Sequence, residues 1–197
     1  KERNVNFFPN YTEKTTEKKR IISQNQQIVR IDNENISPKT LDYFSLEQEI
    51  VKSDLIIISD YAKGAMTQDL MNFLKSSGKM ILADPKPQNA ELYRGINVLK
   101  MNQNEALEIS GEKDIYSAGK SLTERFGSDI IITRGSEGVV LFEKFLESSV
   151  EFPASARNVS DITGAGDTFL AALGLSLASG AKLEDAVLIS NYASGIA

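Results

Sequence analysis

The fold this sequence predicts is α/β, with a mostly parallel central sheet covered on both faces by helices, a three-layer α/β/α arrangement. Three observations predict it. Short unbroken apolar runs recur at residues 55–58, 80–83, 98–99 and 130–132, as in strands buried on both faces. Helix-length amphipathic segments separate them, which is the rhythm of βαβ units. Each run also ends in polar residues that a buried strand does not need: Asp60 to Gly64, Asp84 to Lys86, Asn102 to Glu105, and Thr133 to Gly135. In an open α/β sheet ligands bind beyond the carboxyl ends of the strands, so these ends predict one shared crevice.

A charged opening, whose basic part at 14–20 reads as a solvated hairpin edge, leads into a β-like stretch at 21–31. Ser37 before Pro38 is an N-cap followed by a proline at the first helical position, and predicts a helix running to about Lys52. Thr67 caps a segment in which Leu70, Met71 and Leu74 share one face, and Gly78 stops it. Asn102, with Glu105 three residues on, has the form of a capping box and opens a helix that ends at Gly111. A second helix, over 115–126, returns the chain to the next strand. Gly135 to Gly138 then turns it into an alternating, antiparallel section at 139–142 and 150–152, before two closing helices. The sequence begins without Met in a polar run and stops within an apolar helical pattern that has no C-cap, so it reads as a fragment cut at both ends.

Composition narrows the chemistry. The 22 Lys+Arg against 27 Asp+Glu give a formal net charge of −5, which argues against a nonspecific nucleic-acid binder or a polybasic membrane-surface protein. There are no Cys and no His, which excludes zinc fingers, disulfide scaffolds, cysteine or Ser/His nucleophiles and imidazole bases. The longest weakly polar stretch, 168–181, falls short of the about 20 apolar residues a spanning helix needs.

The sharpest motif is DITGAGDT at 161–168, just before an apolar helical pattern (Phe169, Leu170, Leu173, Leu177). Its glycines allow a tight turn that points the amides of Ala165, Gly166 and Asp167 together at the positive end of the new helix. That makes an anion seat without any basic side chain. Asp167, on the first turn, is placed to serve as a carboxylate base beside it. A plain glycine turn with an acidic helix start explains the same letters. Two better-known phosphate motifs fail. Phe169 stands where a dinucleotide fingerprint needs its third glycine, and Asp114 stands where a P-loop ending in Gly119-Lys120-Ser121 needs its first; the latter stretch reads as a solvated helix face. Asn102 and Glu105 are explained by the cap alone, although in a crevice Glu105 would hold a hydrated Mg²⁺. Lys63 and Lys86 gain interest only from standing just after strands, beside Gly64 and Pro85.

In this order and spacing, Asn102-x-x-Glu105, TRG at 133–135 and DITGAGDT at 161–168 resemble the ribokinase-like, or phosphofructokinase-B, family of carbohydrate kinases. Three further runs, SDYAKG at 59–64, ADPK at 83–86 and KRIISQNQQIVRID at 19–32, are similar to those of bacterial kinases of D-glycero-β-D-manno-heptose 7-phosphate, often fused to an adenylyltransferase. The resemblance implies a ribokinase-like fold, with 1–36 as a β-rich, lid-side segment and 37–197 as the nucleotide-binding α/β core. The family's first strands and its sugar-gripping motif are expected before Lys1, which would make this a fold truncated at the N-terminus.

The resemblance also implies roles. Asp167 takes the proton of the acceptor hydroxyl, and the Gly164, Ala165 and Gly166 backbone holds the transferring phosphoryl group. Glu105 with Asn102 orders Mg²⁺ and its waters, Thr133 and Gly135 lie along ATP, and Asn191 comes near the adenine. Lys63 is assigned to the sugar phosphate and Lys86 to the ATP phosphates, though either loop could serve either ligand. Asp161 and Thr163 match a loop that holds a monovalent cation, K⁺ being the candidate. The implied protein is a cytoplasmic enzyme, homodimeric at full length, that phosphorylates the anomeric hydroxyl of a heptose 7-phosphate using ATP and Mg²⁺, with no nucleic-acid or membrane partner. Alternatives are a kinase of the same fold acting on another sugar or sugar phosphate, and a non-catalytic fragment that only binds nucleotide.

Overall fold

The computed structural model describes residues 17–23, 26–33, 42–146, 148–154 and 164–196. The β-like stretch expected at 21–31 is two strands, β1 (Glu17–Ser23) and β2 (Gln26–Asn33), paired antiparallel as a separate sheet. Every residue of β1 is exposed. Helix α1 (Tyr43–Lys52) ends where expected, but its N-cap is Asp42, which accepts from the amides of Phe44 and Ser45 at 3.1 and 3.3 Å. The predicted start at Ser37-Pro38 lies outside the described residues.

The remaining strands make one sheet in chain order: β3 (Leu55–Ser59), β4 (Met80–Asp84), β5 (Val98–Asn102), β6 (Asp129–Thr133), β7 (Val139–Phe142) and β8 (Ser149–Phe152). The pairs from β3 to β6 are parallel and the last two antiparallel. Helix α2 (Gln68–Ser76) is capped by Thr67, α3 (Gln103–Ser110) by the Asn102/Glu105 box and α4 (Ile115–Phe126) by Asp114. A 3₁₀ turn (Pro87–Tyr93) joins β4 to β5. Helices α5 (Ala165–Ala178) and α6 (Leu183–Ser194) close the chain.

Strand alternation sorts the core into two layers. Ile81, Leu99, Met101, Ile130, Ile132 and Phe142 face α2, α3 and α4, whereas Leu82, Val98, Ile131, Val139 and Leu141 face Phe169, Leu170 and Leu173 of α5 and Val187 of α6. The period of two has a consequence for the site: Asp84 follows Leu82 and Lys100 follows Val98, so both polar residues turn to the α5 side. Gly119 corrects the solvated-face reading of its segment. Lys120 is exposed, but Gly119 is buried, and a Cβ there would come within 2.4 Å of the Phe142 ring.

At the amino end of the sheet two lysines act as caps. Lys79 Nζ donates to the carbonyls of Val51 and Ser53 (3.2 and 2.6 Å), and Lys75 Nζ to those of Leu92 and Arg94 (3.2 and 2.5 Å). They satisfy acceptors that loops and helix ends leave open. Among the described residues no helix is long and apolar enough to cross a membrane.

Candidate active site

Beyond the carboxyl ends of β3, β4 and β5 lies a cavity of about 200 Å³, closed on one side by the first turn of α5. Of the residues singled out in the sequence, Lys86, Asn102, Glu105, Gly164, Gly166 and Asp167 line it. Gly164 caps α5 with φ of 90°, a left-handed conformation that glycine adopts without a Cβ clash, and no side chain caps the helix. Thr168 N is bonded to Gly164 O at 2.9 Å, so the amides of Ala165, Gly166 and Asp167 precede the first intrahelical bond, as an anion seat requires.

The expectation that this seat carries no basic side chain is corrected. Lys100, with its side chain 5% exposed, comes up from β5 beneath α5, and a Cβ on Gly166 would lie 3.0 Å from its Nζ. Lys100 Nζ donates to Asp84 Oδ2 at 2.7 Å. Burial pushes the Asp84 carboxyl above its ordinary range, opposed by the Lys100 charge and hydrogen bond and reinforced by nearby Glu105. Asp84 Oδ1 is buried without a partner.

Glu105 has a double task. Its Oε2 accepts from Asn102 N at 2.9 Å, and the Asn102 side chain accepts from Glu105 N at 2.9 Å, which completes the capping box. Its Oε1 accepts from Lys86 Nζ at 2.5 Å. Burial works to lower the Lys86 pKa, but the hydrogen bond and charge of Glu105, with the charge of Asp84, raise it overall. A carboxylate offers about four lone-pair positions, so Glu105 keeps acceptor capacity toward the cavity. Two carboxylates with spare capacity beside two lysines fit a hydrated Mg²⁺ that shares phosphate oxygens. Among the described residues no cluster of three or more acidic groups forms an all-protein cage.

Asp167 is held from across the cavity. Its Oδ1 accepts from Ser59 Oγ at 3.3 Å and its Oδ2 from Tyr61 OH at 3.1 Å. Tyr61 and Asp84 stand in the polar strand ends from which the crevice is expected and Ser59 opens the SDYAKG run, but none of them is assigned a role of its own and Lys100 is not singled out; all four line the cavity. Thr133, Gly135, Lys63 and Asn191 are not among the lining residues. Thr133 is paired in register with Asn102 at the end of β6 and donates to Met101 O at 3.4 Å. Gly135, with φ of 58°, opens an exposed 3₁₀ turn. Lys63 is half-buried in the loop after β3, and Asn191 is buried in α6 with its Nδ2 bonded to Pro153 O at 2.8 Å. Asp161 and Thr163 lie outside the described residues.

A model of the pfkB family carbohydrate kinases matches residues 1–197. The bifunctional protein HldE of a Nitratiruptor species is 37% identical over 196 residues, covering 92% of this chain and 41% of the relative. The HldE protein of Desulfatibacillum aliphaticivorans is 38% identical over 197 residues, 92% of this chain and 40% of the relative. The chain therefore spans about two-fifths of the length of these curated relatives. A ribokinase from Thermotoga maritima superposes with a TM-score of 0.74 at 22% identity, over 92% of this chain and 62% of that one. The Arabidopsis thaliana ribokinase solved with ribose and ATP gives 0.71 at 19%, over 87% and 59%. The fold is ribokinase-like α/β.

Proposed function

The chain belongs to the pfkB family of carbohydrate kinases, and from that premise we propose that it transfers the γ-phosphoryl group of ATP to the anomeric hydroxyl of D-glycero-β-D-manno-heptose 7-phosphate. The observation that carries the reading is one carboxylate, Asp167, on the first turn of a helix that borders a cavity lined by two lysines and three further acids, Asp60, Asp84 and Glu105. The acceptor hydroxyl passes its proton to Asp167 while its oxygen bonds to the γ-phosphorus. The bond to the β-phosphate oxygen breaks, and ADP leaves. The amides of Ala165 and Gly166 and the ammonium of Lys100 face the charge spread over the transferring oxygens, and Lys86 carries a second cation at the rim. Bound Mg²⁺, which Glu105 with Asn102 would hold through water, supplies charge neutralisation on the nucleotide phosphates. Thr133, Gly135 and Asn191 belong to the nucleotide side of this reading, and Lys63 to the sugar-phosphate side. Asp161 and Thr163 keep their assignment to a K⁺ loop. The heptose assignment is supported by the SDYAKG and ADPK runs and by likeness to the bifunctional relatives.

In the full-length protein, Asp167→Asn is expected to lower turnover by about two orders of magnitude or more while leaving nucleotide affinity unchanged. Near-normal turnover in that variant removes Asp167 from its role. A panel of sugars and sugar phosphates offered to the same protein tests the acceptor. A higher kcat/KM for a sugar other than the heptose phosphate replaces that assignment and leaves the phosphoryl transfer standing.

A further inference from the structure

The transfer as described uses the Asp167 carboxylate but not the two hydroxyls that grip it. Ser59 and Tyr61 reach Asp167 from more than a hundred residues away, and each takes a different oxygen. Two donors, one per oxygen, fix both the position and the plane of a carboxylate. They still leave about one lone-pair position on each oxygen for an incoming hydroxyl. Core packing does not explain the arrangement on the tyrosine side, because Tyr61 is 55% exposed.

What aims Tyr61 is the residue before it. Asp60 is 4% exposed, and its carboxylate accepts from Ala62 N at 2.7 Å, Asn89 Nδ2 at 2.8 Å and Tyr93 OH at 2.8 Å. Its own amide donates to Asp84 O at 3.2 Å. Ala62 sits at φ of 54°, the one non-glycine in the left-handed region among the described residues, and Gly64 follows at 81°. An alanine there is strained and persists only where its surroundings over-determine it, which the bonds to Asp60 do. Strain of this kind next to a cavity is a reason to look for function.

We propose that Ser59 and Tyr61 are positioning residues for the phosphoryl transfer: they hold the Asp167 carboxylate in the plane in which it receives the acceptor proton, with Asp60 anchoring the loop that presents them. The proposal rests on the role given to Asp167 above. It accounts for a tyrosine kept at a half-open rim and for an alanine bent where a glycine would be easier.

The test uses the full-length protein. Tyr61→Phe and Ser59→Ala are each expected to lower kcat about tenfold, the scale of one hydrogen bond to a charged group, with the KM for ATP unchanged and the melting temperature within a degree or two of the parent. Ser59→Thr, which keeps a hydroxyl, is expected to retain most of the turnover that Ser59→Ala loses. In an Asp167→Asn background Tyr61→Phe is expected to have no further effect, because its action runs through that carboxylate. An unchanged or raised kcat in Tyr61→Phe overturns the proposal, as does a tenfold loss that persists when Asp167 is already Asn. If Asp167→Asn is itself fully active, the functional reading falls and this one with it. If Asp167→Asn is inactive while Tyr61→Phe and Ser59→Ala turn over normally, only the positioning role falls.

Discussion

Lys100 with Asp84 and Lys86 with Glu105 are both lysine–carboxylate pairs in one cavity, yet they are built to opposite plans. The first joins side chains 5% and 13% exposed, on adjacent strands beneath α5; in the second the carboxylate is as little exposed, at 12%, but the lysine is 35% exposed at the rim. A rim pair has water as an alternative partner and contributes little to stability, whereas a deep pair loses much when one member is removed, because a charge is left buried. The difference lies in what each pair can do: the deep pair ties β4 to β5 beneath the first turn of α5, whereas the rim pair keeps its lysine within reach of water.

Lys100→Met tests that contrast most severely. It is expected to cost about 3 kcal/mol near neutral pH, read by urea denaturation. The cost should shrink in acid. The Asp84 carboxyl is already held above its ordinary range, and without Lys100 it rises further, so a proton neutralises the stranded charge as pH falls toward and below that raised value. Gly166→Ala sharpens the same point at smaller scale. The new Cβ would crowd Lys100 Nζ at 3.0 Å, for an expected loss of about 1 kcal/mol in the parent. That loss should largely vanish in the Lys100→Met background. Lys86→Met should have the least effect, about 1 kcal/mol or less, because the lost lysine is partly exposed and Glu105, although largely buried, keeps its bond from the Asn102 amide. The Lys86 pKa is raised by Glu105, so its contribution is fully present below the ordinary lysine value of 10.5 and is lost as pH climbs through the higher folded value. Melting curves of parent and variant should therefore converge only in strong alkali.

The same contrast marks what the sequence could say. Strands β3 to β6, the caps at Thr67 and Asn102 and the stop at Gly111 were legible because their signals are local: apolar runs, hydrogen bonds spanning three residues, a left-handed glycine. Lys86 was legible because it stands after a strand, beside a proline. Lys100 was not, because a charge in the run made the strand seem to end at 98–99, whereas β5 continues through Asn102. A lysine flanked by Leu99 and Met101 was a signal in its own right, since a buried ammonium must be paired. Ser59 and Tyr61 stand in the SDYAKG run at the end of a strand, but their bonds to Asp167 gave no local sign, because that partner is 108 and 106 residues away and only the fold brings it near. Gly119 escapes a local reading for a related reason: its burial is decided by Phe142 on another element.

Lys75 and Lys79, at the end of the sheet away from the cavity, hold their ammonium groups between pairs of backbone carbonyls. Held between two carbonyls, each amine is shielded from acylating reagents until those bonds open, and at Lys75 burial also lowers the pKa, so that the amine reacts readily once it is released. The integrity of the molecule's floor is thus recorded in the chemical reactivity of two amines, and covalent labelling could follow its loosening separately from any event at the mouth above.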